Sequence, residues 1–360
     1  MTTPINRRRF LRGAAAGLGA ATLNQFLTAC GANEARPVSP TQAARAAQPT
    51  AIPTSAAQVA VPTARPTAMA AQPATTPATS VPEPTSTPAI SPDLVVARSG
   101  EPEAMVRRAI AALGGMERFV PREASVIIKP NICVAYHTYE YAATTNPWVV
   151  GALVKLCFEA GARSVRVMDN PFGGTAEDAY QISGIADQVK AAGGEMVIMS
   201  RMKFVSTNIP DAKSLKQSRI YDEALKADVL IDVPIAKDHS LARLTLGMKN
   251  LMGLIWDRPA IHGDMGERLT DLASLMRPQL IVVDAVRILT ANGPTGGNLN
   301  DVKQMNTIIA SADIVAADSY AATLFGMQPE DLAYVKAGTQ RGLGRSDLKN
   351  LHIEEINVGA

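Results

Sequence analysis

The sequence predicts an α/β fold, a mainly parallel sheet with helices on both faces, spread over residues 93–360. Three observations carry that expectation. Short continuous apolar runs such as "SVIIKPN" (125–131) and "DVLIDVPIA" (228–236) alternate with helix signals. Strands apolar at every position need cover on both faces, as in parallel sheets with helical crossovers. The segment is also long enough to bury a core of one large or two small domains.

The elements follow in order. After the strand at 125–131, "NPWVVGALVKLCFEAGA" has Asn146 to cap a helix, Pro147 at its first position and Gly161 as its stop. A strand "SVRVMDN" (164–170), a helix over 184–193 and a strand "EMVIMS" (195–200) come next. "YDEALKA" (221–227) reads as a short helix before the strand 228–236. In "LARLTLGMKNLMGLIW", Leu244, Leu246, Leu251, Leu254 and Ile255 suggest a packed helix with one polar facet. An amphipathic helix (265–276) leads into the strand "LIVVDAVRIL" (280–289); a helix over 313–326 and a strand over 351–358 finish the pattern.

Ahead of this, residues 1–30 read as an export signal. Arg7-Arg8-x-Phe10-Leu11-Arg12 matches the twin-arginine pattern, and Leu27-Thr28-Ala29-Cys30 resembles a lipoprotein box, making Cys30 the expected lipidation site. Residues 13–29 are too few and too polar to span a membrane comfortably. The expected location is the outer face of the cytoplasmic membrane, with the twin-arginine export machinery and the membrane as partners. Residues 31–92 hold 12 of the 24 prolines and no Phe, Tyr or Trp, the composition of a disordered linker.

The whole chain carries 35 Lys+Arg and 33 Asp+Glu; removing the signal's Arg7, Arg8, Arg9 and Arg12 leaves 31 against 33, a net charge of −2. With no basic cluster and no interleaved aromatics, nucleic acid is excluded as a partner. Beyond Cys30 there are Cys133 and Cys157 and no C-x-x-C, so cysteine-ligated zinc or iron–sulfur sites are not expected. Both thiols read as small core residues, with a Cys133–Cys157 disulfide as the minor option.

Open parallel sheets bind ligands outside the carboxyl ends of their strands, and here those ends are polar. One strand ends at Lys129-Pro130-Asn131, another at Asp169-Asn170, a third at Lys237-Asp238-His239, and "ANGPTGGN" follows 280–289. Lys249-Asn250 sits in an otherwise apolar stretch, where a buried Lys needs a partner. His239 and His262 lie in polar loops, and two histidines beside carboxylates suit proton transfer or metal binding. His352 reads as structural.

These segments bear a likeness to a known family. "IKPNI", "TTNPWVVGALVKLCFEAGARSVRVMDN", "ADVLIDVPIAKDHSLARLTLGMKNLMGLI", "IHGDM", "LIVVDAVRILTANGPTGG" and "SADIVAADSYAATLFG" resemble, in this order, the domain-of-unknown-function 362 family, from Ser125 to Gly344. The resemblance implies family-pattern positions at Lys129, Asn131, Asp169, Lys237, His239, Lys249, Asn250, His262 and Asp284, without assigning roles. Many relatives carry a ferredoxin-type iron–sulfur domain; this chain lacks the cysteines for one, and no built-in cluster is expected.

Two functions follow as expectations. In the first, an exported enzyme binds a small anionic molecule through Lys129, Asn131, Lys237, Lys249 and Asn250, with Gly296 and Gly297 adding amides. His239 or His262 transfers a proton, oriented by Asp169 or Asp238; a divalent metal on His239, His262 and Asp238 is the variant. In the second, the same residues capture a solute or metal ion without catalysis. No G-x-S-x-G, Walker A or G-x-G-x-x-G pattern occurs.

Overall fold

Strands that are apolar along most of their length, on both faces, fill both sides of one sheet. The computed structural model describes residues 91–359; the export signal, Cys30 and the linker expected ahead of them lie outside the described residues. The strands are β1 (Leu94–Arg98), β2 (Ser125–Pro130), β3 (Ser164–Val167), β4 (Glu195–Met196), β5 (Phe204–Asn208), β6 (Gln217–Tyr221), β7 (Val229–Val233), β8 (Ile235–His239), β9 (Arg243–Thr245), β10 (Leu280–Leu289), β11 (Val302–Ser311) and β12 (Ile353–Asn357). The main sheet runs β12-β1-β11-β10-β7-β2-β3-β4, with β8 and β9 continuing beside β10; β5 and β6 form a separate hairpin. Along that path β11 alone opposes its neighbours, so the sheet is mainly parallel.

Successive residues of each strand feed opposite cores. Val95, Val126, Ile128, Ile231 and Val282 pack with the helices Pro102–Ala112 and Pro147–Glu159. Leu94, Ile127, Leu230, Ile281 and Val283 pack with Met265–Met276 and Ile314–Thr323 on the other face. The alternation explains why the runs look uniformly apolar. Helix starts are capped as their residue types require: Asn146 accepts from the Trp148 amide at 3.0 Å and Asp313 from Val315 and Ala316 at 2.8 and 2.9 Å.

Three expectations change. The strand expected over 228–236 is broken at Pro234 into β7 and β8. Proline offers no N–H to a ladder; its carbonyl accepts from Asp284 N at 2.8 Å, and beyond it the chain pairs with β10 and no longer with β2. The packed helix expected through 244–255 is instead β9, one helical turn (Gly247–Asn250) and a 3-10 turn (Leu251–Leu254). The turn is held by Asp318, whose carboxylate accepts from the Gly247 and Met248 amides at 2.6 and 3.0 Å. The strand expected over 195–200 pairs for only two residues, as β4.

From β2 the chain moves through a helix to β3 and then β4; from β7 it moves the opposite way, to β10 and β11. The order therefore reverses between β2 and β7. In a parallel α/β sheet that switch point is where a crevice forms at the carboxyl ends.

Candidate functional site

Lys129 of β2 and Asp232 of β7 are in register across that switch point. Both lie on the face that carries the Gly247–Asn250 turn, because they follow Ile127 and Leu230 by two residues along their strands. Asn250 closes the arrangement. Its Oδ1 accepts from Lys129 Nζ at 2.7 Å and Asn131 Nδ2 at 3.0 Å, while its Nδ2 donates to Asp232 Oδ1 at 2.8 Å and to the Lys129 carbonyl at 3.1 Å.

Lys129 is 1% exposed and forms an ion pair with Asp169 at 3.1 Å. Asp169 also accepts from the Ile132 and Asn170 amides at 2.6 and 2.8 Å. These two groups satisfy one another, which leaves Lys129 no free donor role and Asp169 no histidine to orient. Asp232 is fully buried; burial raises its pKa well above the usual carboxylate range, against the pull of Lys129 and Asn250, and its Oδ2 has no hydrogen-bond partner.

Lys237 is charged company of another kind. Its Nζ donates to Asn131 Oδ1 at 2.9 Å, Ala143 O at 2.6 Å, Pro294 O at 2.8 Å and Cys133 Sγ at 3.2 Å. All four acceptors come from loops, so one ammonium ties the 131–143 segment and the 292–297 turn to β8. Among the described residues it forms no ion pair.

Lys249 has less still. It is 8% exposed, and its Nζ meets Met252 Sδ at 3.5 Å, with no carboxylate in ion-pair reach among the described residues. Burial lowers its pKa to about 7, with Lys237, Arg258 and Lys129 adding to the shift and Cys133 opposing it. Arg258 donates through Nη2 to the Asn170 carbonyl, while its Nε is buried without a partner. Lys237, Lys249 and Arg258 thus bring three cationic groups together; among the described residues Lys237 and Lys249 form no ion pair, and Asp169 is the acid that acts on Arg258.

His239 Nδ1 accepts from the Leu241 and Ala242 amides at 3.1 and 3.3 Å. That pattern assigns the ring proton to Nε2. Burial first, then Lys249, Lys237 and His262, pushes its pKa down to about 3. A ring held neutral throughout the physiological range donates a hydrogen bond but carries no transferable imidazolium proton. His262, on an exposed 3-10 turn, is lowered by burial and by Lys249.

The expected ligand set for a divalent metal does not assemble. Asp238 spends Oδ2 on the Gly293 amide at 2.9 Å, and among the described residues no group of three or more His, Cys, Asp or Glu is placed to hold a metal ion. Gly296 spends its amide on Asn292 O at 3.0 Å, and so is no ligand donor; Gly297 is exposed, beside His137. Asp284 holds the Asn146 and Val286 amides at 2.7 and 3.0 Å, a structural position in which burial raises it to about 6.

Sequence reasoning missed four participants. Asp232 was hidden inside an apolar run, although an acid there was itself the signal. Asp318, raised by burial to about 7, lies 71 residues from the turn it holds. Arg258 carried no local mark. Cys133 is a free thiol at the cluster rather than a plain core residue, whereas Cys157 is free, fully buried and raised by burial alone.

The model of the family described as "Domain of unknown function (DUF362)" matches residues 126–323. A thylakoid-associated protein of Synechocystis sp. is 28% identical over 249 residues, 67% of this chain and 75% of that protein. Among solved structures, the lactate racemase apoprotein of Thermoanaerobacterium thermosaccharolyticum aligns with a TM-score of 0.36 at 12% identity, over 61% of this chain and 54% of that one. A Thermotoga maritima protein aligns with a TM-score of 0.37 at 11% identity, over 63% and 60%. The chain therefore spans little more than half of either solved structure.

Proposed function

Because the chain belongs to the DUF362 family, a membership that brings no reaction with it, we propose its function from the site itself: it binds a small organic anion at the β2/β7 switch point and moves a proton there through Lys249. The observation that carries this reading is a pair of under-satisfied buried cations beside Lys237: Lys249, whose Nζ meets a thioether at 3.5 Å, and Arg258, whose Nε has no hydrogen-bond partner. Leaving buried charge without a partner is costly, and an entering anion relieves that cost by supplying the missing acceptor. Asn131, Cys133, His239 and Lys249 are each 7–8% exposed, while Lys129, Lys237, Asp232 and Asn250 are 0–2% exposed. The first four are the members an incoming molecule meets.

Lys249 is the proton-transfer group because its pKa of about 7 leaves it divided between amine and ammonium at neutral pH. Lys129, Asn250 and Asp232 support the floor of the site. The test is calorimetry with small carboxylates and inorganic phosphate on the purified chain, its Lys249→Met variant and its Arg258→Ala variant. Each substitution is expected to weaken anion binding at least about tenfold, or ~1.4 kcal/mol. Unchanged affinity in both variants would remove the cluster from the reading. Binding without exchange of a substrate proton in heavy water would favour capture over catalysis.

The twin-arginine signal and Cys30 belong to the same proposal: the chain is exported and lipid-anchored. Membrane association has support from the thylakoid-associated relative. Among the described residues no helix is long and apolar enough to cross a membrane, so attachment would rest on the acylated cysteine. Cys30→Ser is expected to move the chain from the membrane fraction to the soluble fraction of fractionated cells. An unchanged distribution overturns the anchor.

A further inference from the structure

Lys249 stands apart from the other buried lysine amines of the site. Lys129 Nζ is enclosed by Asp169, Asn250 and the Pro130 carbonyl, and Lys237 Nζ by four acceptors. Lys249 Nζ has a thioether at 3.5 Å, a weak acceptor that leaves the nitrogen free to react. It is 8% exposed, against 1% for Lys129 and none for Lys237. Its turn is fixed from behind by Asp318, so the amine is presented from a held backbone.

We propose that Lys249 is a covalent nucleophile whose amine condenses with the carbonyl of a small carbonyl-bearing carboxylate to form a Schiff base. This deepens the anion-binding reading and rests on it. The carboxylate would pair with Arg258, whose Nε is buried without a hydrogen-bond partner, and so bring the neighbouring carbonyl carbon to the amine. The nitrogen lone pair forms the new C–N bond as the carbonyl π pair moves to oxygen. Proton transfer from nitrogen to that oxygen gives a neutral carbinolamine, a second proton lets it leave as water, and the protonated imine remains. The net change is amine plus carbonyl plus one proton from solvent to iminium plus water, with no oxidant or reductant.

The surroundings favour the reactive form. Burial and the charges of Lys237, Arg258 and Lys129 lower Lys249 to about 7, against the opposing influence of Cys133. An ordinary exposed lysine is almost wholly protonated at pH 7.5, whereas this one is largely free amine, the activation that desolvation and neighbouring cations provide. His239, neutral and with its proton on Nε2, can donate to the developing oxygen without competing for the carboxylate as a charge.

The test uses the full chain with glyoxylate and pyruvate as probes, propionate as the matching anion without a ketone or aldehyde carbonyl, and sodium borohydride to reduce any imine to a stable amine. Peptide mapping by mass spectrometry then locates the adduct. The expected result is labelling of Lys249 on the order of tenfold above any exposed lysine, suppressed by propionate, absent in Lys249→Met, and rising as pH passes upward through about 7. Adducts spread evenly over surface lysines, and unchanged in Lys249→Met, overturn the proposal. Calorimetric binding of propionate and pyruvate without a Lys249 adduct overturns the Schiff base but leaves the anion site standing. Failure of all the probes to bind overturns both. Mapping on the unsubstituted chain keeps the answer clear even if the variant does not fold.

Discussion

Replacing Lys249 with Met is expected to stabilise the folded chain by about 3–5 kcal/mol at pH 6.5 and to lose most of that advantage by pH 10. The two side chains have similar length, and the replacement has no charge to desolvate. Lys249 falls from 10.5 to about 7 on folding, so between those values the unfolded chain binds the extra proton and the folded chain does not. Stability then rises with pH through that window, the penalty being full below pH 7 and gone above 10.5. His239, lowered from 6.5 to about 3, acts in a separate window: stability falls as pH drops from 6.5 towards 3. Urea midpoints for both chains at pH 6.5, 8 and 10 provide the comparison. A stability difference independent of pH would mean that Lys249 keeps its proton in the folded state. The variant that folds best is therefore expected to be the one that binds its anion worst, since function here retains a charge that folding alone would discard.

Asp169→Ala is expected to act in the opposite direction and to leave little folded protein. It strands the Lys129 ammonium, 1% exposed and otherwise served by an amide oxygen and a carbonyl, at a cost of about 3–5 kcal/mol. It also orphans the amides of Ile132 and Asn170, at roughly 1–3 kcal/mol for each that stays buried. The total rivals the whole ~5–15 kcal/mol by which a domain is stable. Circular dichroism and urea titration of soluble material would register the loss; a midpoint within about 1 kcal/mol of the parent chain would show that the pair carries no load. The double variant Asp169→Ala/Lys129→Met should recover a large part, because no charge is then stranded. The same ion pair explains Gly253: a Cβ there would lie 1.9 Å from Asp169 Oδ1 and 2.5 Å from Lys129 Cε.

Much of this was legible in the sequence, for reasons that differ by residue. β2, β10 and the helix Pro147–Glu159 were readable because apolar continuity and an Asn-Pro start are local signals. That lysines and acids gather at strand ends was also readable, since each end can be inspected by itself. Which lysine meets which acid was not. Lys129 finds Asp169 across β2 and β3, and the Gly247 amide finds Asp318 across 71 residues; these are tertiary choices with no trace in spacing. The reading therefore grouped Lys129, Lys237 and Lys249 as equals, whereas packing satisfies the first two and leaves the third. The histidines drew attention through rarity, but burial among cations is what decides their protonation. β1, β11 and the β5–β6 hairpin went unread because their roles depend on partners far along the chain.

The direction of β1 has a consequence for presentation. β1 runs parallel to β2, both being related through β11, β10 and β7, so Leu94 lies at the amino edge of the sheet, and the lysines lie at the carboxyl edge. Whatever precedes Asp93 is therefore joined to the sheet at the end away from the cations. If the chain is anchored through that segment, as proposed, the lysines stand at the edge of the sheet far from the attachment.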